Sequence, residues 1–264
     1  MIQVIARSIV KPEKKEQFLE LATELIGHTR KEKGCLGYAL YEGEAPDTFF
    51  FIESWQDRDG LEAHFQSDHF KRIVPQIADV RLEGSVELCR PMGDAPGLQT
   101  IRCRRSIRKF VAGRVIGDET VDILLRAAMQ APSAANQQPW RFIVLRDRDR
   151  LEAVSRVSPY ASMTKDASLA IVVAGDIRGT KFPAFWPQDC SAAVQNLLLE
   201  AVNQGLGAVW LGVHPEKDRE TYLARLLELP DGVIPFAVVP VGYPEQANVF
   251  VDRWDPDKVH RERW

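Results

Sequence analysis

The stretch at residues 167–175 reads Ala-Ser-Leu-Ala-Ile-Val-Val-Ala-Gly. Almost every residue in it is apolar, which is typical of a strand that is covered on both faces of a sheet. Apolar patterns predict further strands at residues 140–145, 206–213 and 234–241. The second half is therefore predicted to contain a central sheet.

Three helices are predicted around these strands. Asp118 lies at the start of the first helix, and residues 151–157 form a short second one. The third, residues 191–203, is apolar on most of its circumference. Such a helix must be buried nearly all round, in a core or at a subunit interface.

Residues 1–90 have a different pattern, which predicts the order strand, helix, strand, strand, helix, strand. Alternation predicts the first and last strands at residues 2–10 and 80–88, and a helix follows Pro12. A single second helix is predicted from Asp57 onward. This order predicts an antiparallel sheet with two helices on one face.

The segment between the halves has two prolines and two glycines within residues 90–98 and no periodicity. Such a composition indicates a linker. The predicted organisation is a domain at residues 1–90, a linker at 91–98 and a second domain at 99–264.

Composition excludes several classes of function. The net charge of −3 gives no indication of nucleic-acid or acidic-membrane binding. No apolar run is long enough to span a bilayer. The four cysteines are scattered, without a CxxC or a metal-binding spacing, which fits a reducing cytoplasm and predicts no metal site.

The most informative stretch for function is Arg104-Arg105-Ser106-Ile107-Arg108. Its three guanidiniums are suited to a phosphate, because the planar fork donates hydrogen bonds in pairs and keeps its proton. The alternative is a solvated basic surface, which is what charge runs usually are.

A second stretch, residues 132–140, reads Pro-Ser-Ala-Ala-Asn-Gln-Gln-Pro-Trp. Its small residues would let the backbone approach a flat ring closely. Asn136 and Gln138 carry carboxamides that both donate and accept hydrogen bonds, as the polar edge of an isoalloxazine requires. The alternative is a helix end and a turn before a strand.

Together the two stretches resemble the nitroreductase family of FMN-dependent oxidoreductases. The resemblance implies a nitroreductase-like α+β domain of three layers, with FMN as cofactor and NADH or NADPH as electron donor. By position it assigns cofactor binding to Arg104, Arg105, Ser106, Arg108, Pro132, Ser133, Ala134, Asn136, Gln138, Leu211, Gly212 and Arg253.

The resemblance also implies the reaction and the assembly. Two electrons would pass as a hydride through flavin N5 to a small flat acceptor such as a nitroaromatic, a quinone or a flavin, so no catalytic side chain is needed. Family members are homodimers with FMN at the interface. Trp186 and Gln188 are predicted near the substrate, although a core or interface role is equally compatible with the sequence.

The first half resembles antibiotic-biosynthesis-monooxygenase-like domains, through Glu53-Ser54-Trp55 and residues 63–70, Ala-His-Phe-Gln-Ser-Asp-His-Phe. The resemblance implies a ferredoxin-like βαββαβ fold that dimerises through its sheet. His64 and His69 are five residues apart, so one helix would not place them on one face, and a structural role is predicted for both.

Three alternatives remain open for the whole chain. The flavin domain could belong to a specialised dehydrogenase, dehalogenase or flavin-processing enzyme, because a fold does not determine a function. The protein could be a flavin-binding sensor or scaffold whose first domain binds the ligand. The first half could also be an oxygenase that the second half supplies with electrons.

Overall fold

The computed structural model describes residues 2–89, 96–246 and 251–264. The chain divides into two compact units, Met1–Ala95 and Pro96–Trp264, and each is described by itself. Most of the predicted linker lies outside the described residues, but residues 96–98 form the first turn of a helix. Within the described ranges, no helix is both long enough and apolar enough to cross a membrane.

The first unit is a four-stranded antiparallel sheet with helices packed on it. Its strands have the order β2-β3-β1-β4, which confirms the predicted ferredoxin-like arrangement. The elements are β1 (Ile2–Val10), α1 (Lys15–Thr29), β2 (Cys35–Glu42), β3 (Thr48–Trp55), α2 (Arg58–Gln66), α3 (Asp68–Val80) and β4 (Arg81–Cys89).

The core of this unit is rich in aromatic side chains. Phe18 of α1 packs on Phe49 and Phe51 of β3, with ring centroids 5.0 and 6.1 Å apart. Trp55 at the end of β3 is completely buried. Because side chains alternate along a strand, these residues share the face of the sheet that the helices cover.

The prediction of one helix after Asp57 is wrong, because Ser67 divides it into α2 and α3. Ser67 has an extended backbone conformation, and its hydroxyl accepts a hydrogen bond from the Phe70 amide. Serine at this position satisfies an amide that the start of a helix leaves unpaired. Capping therefore overrides the apolar periodicity that runs through both helices.

The second unit contains a five-stranded antiparallel sheet with the order β5-β6-β9-β7, in which β8 also pairs with β9. Its elements are α4 (Pro96–Cys103), α5 (Asp118–Met129), β5 (Trp140–Leu145), α6 (Arg148–Val154), β6 (Leu169–Asp176), α7 (Trp186–Asn203), β7 (Gly207–Ala208), β8 (Leu211–Gly212), α8 (Lys217–Leu226) and β9 (Val233–Gly242).

Strand β6 is buried along its whole length because helices cover both faces of the sheet. Leu169, Ile171 and Val173 belong to the apolar cluster that contains residues of α5 and α7. Ala170 and Val172 belong to a second cluster, with residues of α6 and α8. These alternating contacts explain the continuous apolar stretch and confirm the predicted three-layer α+β fold.

Two other predictions need correction in this unit. Helix α7 begins at Trp186 and not at residue 191, with Pro187 in its first turn, where no amide hydrogen is needed. The predicted strand at residues 206–213 is present only as the short β7 and β8. The register places Pro240 opposite Val209 between them, and proline has no N–H to donate.

Candidate active site

The arginine-rich segment is anchored to the sheet by two apolar side chains. Ile107 and Phe110 are only 3% and 5% exposed, whereas Ser106 and Arg108 lie at the surface. The Ile107 amide donates to the carbonyl of Ala208 in β7 at 3.0 Å. The anchors therefore hold the polar residues of the segment outward.

Two glycines make room for these anchors. A Cβ atom on Gly207 would lie 2.6 Å from Cγ2 of Ile107, and one on Gly242 would lie 2.8 Å from Cδ1 of Phe110. Real Cβ atoms do not approach other atoms that closely. The positions of the arginines thus depend on the absence of side chains at two positions about 100 and about 130 residues later in the chain.

Three of the predicted phosphate ligands converge on one cavity. Arg104, Arg105 and Arg253 line a volume of about 470 Å³. Burial, together with the positive charges of Arg253 and Arg105, lowers the pKa of Arg104. Among the described residues, no carboxylate forms a salt bridge with any of the three. Asp252 also lines the cavity but pairs with Arg102 at 3.4 Å, so the cavity has an excess of positive charge.

The guanidinium of Arg105 has a hydrogen-bond donor without an acceptor. Its Nη1 donates to the carbonyl of Arg104 at 2.6 Å, but its Nη2 is buried and has no hydrogen-bond partner. A buried donor on a charged group is costly to leave unpaired. An anion bound in the cavity would supply the missing acceptor.

Other predicted cofactor residues line a second cavity of about 380 Å³. Arg108, Leu211 and Gly212 belong to its walls, with Trp210 and Tyr160. A Cβ atom on Gly212 would meet no atom within 4 Å, so the backbone there is open. The structure therefore divides the arginines of residues 104–108 between two cavities, with Arg108 in the second.

The predicted ring-binding loop, residues 132–138, has a strained backbone. Ala135, Asn136 and Gln138 have φ angles of 48°, 54° and 48°, in the left-handed region that favours glycine. Each such residue costs roughly 1–3 kcal/mol and persists only where the surroundings enforce it. The loop is therefore held in this shape by other contacts.

Asp189 of α7 supplies the main contacts to this loop. Its buried carboxylate accepts from the Ala134 amide at 2.9 Å and from Nε2 of Gln137 at 2.8 Å. The Ser133 hydroxyl also accepts from the Gln138 amide at 3.0 Å. Sequence reasoning missed Asp189, because it placed the start of this helix at residue 191, after the aspartate.

The two carboxamides of the loop lie at the surface. Nε2 of Gln138 donates to Oδ1 of Asn136 at 2.9 Å, and both residues are exposed, as is Pro132. Neither amide belongs to the lining of the two cavities. Within a single chain, the loop therefore contributes no residue to the lining of either cavity.

The predicted substrate contact through Trp186 is not supported, because its ring is part of the core. Trp186 is 6% exposed and packs edge-on against His214 and Phe236, with centroids 4.6 and 5.7 Å apart. The ring lies so close to Gly175 that this position also has no room for a side chain. Gln188 remains exposed in the first turn of α7.

The first unit contains a polar cluster that the sequence did not predict. Oε1 of Glu32 lies 2.8 Å from Nδ1 of His64 and 2.6 Å from Nε2 of His69. The expectation that these histidines lie apart assumed one continuous helix. The break at Ser67 brings them together, and Glu32, in the turn after α1, lies between them.

A buried carboxyl lies near this cluster. Burial raises the pKa of Glu53, although hydrogen bonds from Trp55 and Tyr38 partly oppose the shift. Burial also lowers the pKa of His64, which is completely inaccessible to solvent. The core of the first unit therefore contains polar groups whose charged forms are disfavoured.

Both units match known families. The profile described as "Nitroreductase family" matches residues 101–161 and 152–243, and the one described as "Antibiotic biosynthesis monooxygenase" matches residues 1–76. A protein of Methanothermobacter thermautotrophicus, "Putative NADH dehydrogenase/NAD(P)H nitroreductase", is 49% identical over 167 residues. The match covers 63% of this chain and 87% of that protein.

A second relative matches the first unit. "Putative monooxygenase YcnE" of Bacillus subtilis is 41% identical over 76 residues, which cover 28% of this chain and 79% of that protein. Among solved structures, "a putative nitroreductase in complex with fmn" from Desulfovibrio desulfuricans is 32% identical. It has a TM-score of 0.56 and covers 65% of this chain and 99% of its own. Both predicted resemblances are confirmed: the chain belongs to the nitroreductase family and carries an antibiotic biosynthesis monooxygenase domain in its first unit.

Proposed function

We propose that this protein is an FMN-dependent NAD(P)H oxidoreductase of nitroreductase type. The observation that carries the proposal is the cavity of Arg104, Arg105 and Arg253, which has no carboxylate partner for these residues and contains an unpaired buried donor. A phosphate monoester fits such a donor set, because it offers several acceptor oxygens and negative charge together. The FMN complex of the Desulfovibrio relative supports the same cofactor.

The two cavities suggest separate sites for the phosphate and the ring of FMN. Arg104, Arg105 and Arg253 would bind the FMN phosphate, and the Ser106 hydroxyl would add a hydrogen bond. Arg108 lines the other cavity with Leu211 and Gly212, so we assign it to the ring. When bound, FMN supplies two-electron transfer between a nicotinamide and an acceptor.

The residues assigned to the ring carry out no acid–base step of their own. Leu211 and Gly212 have no ionisable side chain, and a guanidinium offers hydrogen-bond donors only. These residues would therefore orient the ring and exclude water from it. Any proton that the acceptor needs would come from solvent.

A homodimer would complete the site. Asn136 and Gln138 are exposed and lie outside both cavity linings in one chain, which supports their contribution to the site of a second copy. Helix α7 buries one face, but Ala192, Leu199 and Val202 on its other side are only partly covered. An apolar face of this kind fits a subunit interface. We further propose that the dimer acts on small molecules in the cytoplasm.

The test combines cofactor and turnover measurements. The purified chain is expected to be yellow, to have a dimeric mass, and to lose its flavin absorbance when NADH or NADPH is added without oxygen. A panel of nitroaromatics, quinones and free flavins would then identify the acceptor that restores the absorbance. A colourless protein that gains no flavin from added FMN would contradict the proposal.

A flavin that stays oxidised with both nicotinamides would instead favour a sensor or scaffold. Turnover confined to a narrower substrate class would favour a specialised dehydrogenase, dehalogenase or flavin-processing enzyme. Both outcomes retain the arginine site and change only its use.

A further inference from the structure

The first unit contains a group of ligand atoms that the nitroreductase chemistry does not use. We call Glu32, His64 and His69 the Glu32 cluster. One potential ligand atom from each of the three residues lies within 4.8 Å of the others. No other such group of three His, Cys, Asp or Glu residues occurs among the described residues.

The cluster is assembled from three separate chain segments. Glu32 lies in the turn between α1 and β2, His64 in the last turn of α2, and His69 in the first turn of α3. The Ser67 hydroxyl donates to the carbonyl of His64 at 2.8 Å, which fixes the corner between the two helices. The side chains are therefore held in place before any ligand binds.

Two imidazole nitrogens share a single carboxylate oxygen, at 2.8 and 2.6 Å. Among the described residues, neither a lysine nor an arginine forms a salt bridge with Glu32. The side chains of Glu32 and His69 are 17% and 16% exposed, whereas that of His64 is wholly buried. An ion and its waters could therefore approach from the side of Glu32 and His69.

The environment of His64 favours a cation at this point. Its Nε2 is buried without a hydrogen-bond partner, and the rings of Phe70 and Trp55 lie 4.7 and 4.8 Å from its own centroid. Aromatic rings accept weak hydrogen bonds from N–H groups and offer nothing to a lone pair. With the proton on Nε2, the lone pair of Nδ1 faces the Glu32 oxygen and is available to bind a cation.

We propose that Oε1 of Glu32, Nδ1 of His64 and Nε2 of His69 bind a divalent first-row transition-metal ion. Two imidazoles and a carboxylate suit Zn²⁺, Fe²⁺ and Co²⁺, and three protein ligands leave positions open for water or substrate. Bonds of about 2.0–2.1 Å to a tetrahedral ion separate ligand atoms by roughly 3.3 Å. The partly exposed side chains of Glu32 and His69 would move outward by several tenths of an ångström.

The experiment uses the full chain without a histidine tag, stripped with a chelator and dialysed. Zn²⁺ is expected to bind with one ion per chain, and Co²⁺ is expected to give the visible spectrum of a nitrogen- and oxygen-ligated ion. Glu32→Gln and His69→Gln should each weaken binding at least tenfold. His28→Gln is the matched control, since His28 stacks on His69 but is half exposed and outside the cluster.

Folding and the flavin site are monitored separately. Circular dichroism and flavin absorbance should be unchanged in His69→Gln, and the flavin-site variant Arg105→Ala should bind Co²⁺ as the unmodified chain does. The proposal is overturned if the stripped chain binds no Zn²⁺. It is also overturned if both cluster variants bind the ion as tightly as the control, because the cluster would then be only a hydrogen-bonded part of the core.

Discussion

The two units of this chain differ in how the charged groups of their polar sites are paired. In the second unit, Arg104, Arg105 and Arg253 face one cavity with no salt-bridge partner among the described residues. In the first unit, Glu32 is balanced by two imidazoles at hydrogen-bond distance. Like charges kept together without a counter-ion are costly, so we infer that the arginine cavity binds an external anion.

Whether a charged group has a partner within the protein distinguishes groups that stabilise the fold from groups that bind a ligand. Removing a partner from an internally balanced cluster should cost stability, because the remaining group is left buried and unpaired. Removing an arginine from the cationic cavity should cost affinity for a ligand and leave the fold intact. Variants in each unit therefore test whether the first site serves stability and the second serves ligand affinity.

The largest effect is expected from Arg104→Ala combined with Arg105→Ala. Hydrogen bonds to charged groups contribute about 1.5–3 kcal/mol each, so FMN affinity should fall at least a hundredfold. The melting temperature without FMN should not decrease, since repulsion is relieved. Titration of apoprotein with FMN and a thermal scan measure the two quantities, with Arg156→Ala as a control at an exposed helix pair.

A loss of stability in this double variant, with FMN affinity retained, would reverse the assignment. The arginines would then be structural, and the contrast between the units would disappear.

Gly207→Ala tests whether the arginine segment depends on its apolar anchor, Ile107. The added methyl group would collide with Ile107, and overpacking of this kind costs about 1–3 kcal/mol. Urea unfolding should show this loss together with weaker FMN retention. Gly27→Ala, at an exposed position of α1 where the Cβ meets no atom within 4 Å, should reduce neither quantity.

Glu32→Gln tests the internally balanced cluster. The amide removes the charge and leaves one imidazole with a poorer partner, so the first unit should lose about 1–2 kcal/mol of stability. Thermal unfolding of metal-free protein measures the loss, and FMN binding should be unaffected. An unchanged unfolding temperature would show that the cluster does not stabilise the fold.

The smallest effect is expected from Glu53→Gln and depends on pH. Burial raises the pKa of Glu53 in the folded state, so its stabilising contribution is complete below the unfolded pKa and is lost as pH rises through the folded pKa. The variant should therefore be more stable than the unmodified chain at neutral pH, and the difference should vanish near about pH 4. Urea unfolding at both pH values, with exposed Glu62→Gln as control, measures it.

The sequence predicted what was local and missed what depends on long-range contacts. The arginines are contiguous, so their chemistry is visible without a fold, and the apolar stretch at residues 167–175 predicted the central strand. The cluster of Glu32 depends on a helix break at Ser67, where a single cap overrides periodicity. The interruption between β7 and β8 depends on Pro240, which lies on another strand.

The backbone conformation of the ring-binding loop, residues 132–138, also could not be predicted from the sequence. Its residue types indicated carboxamide chemistry, but its strained backbone depends on Asp189, more than fifty residues later. The sequence left two roles open for Trp186, and only the structure, in which its ring contacts His214 and Phe236, supports the core role. Tertiary packing decides such cases.

The most direct test of the arginine cavity is the affinity of the apoprotein for FMN compared with riboflavin, which lacks the phosphate. We predict that the unmodified chain binds FMN at least a hundredfold more tightly, because charged hydrogen bonds contribute about 1.5–3 kcal/mol each. The preference should disappear in the double variant of Arg104 and Arg105. Equal affinity for both flavins in the unmodified chain would contradict a phosphate in this cavity.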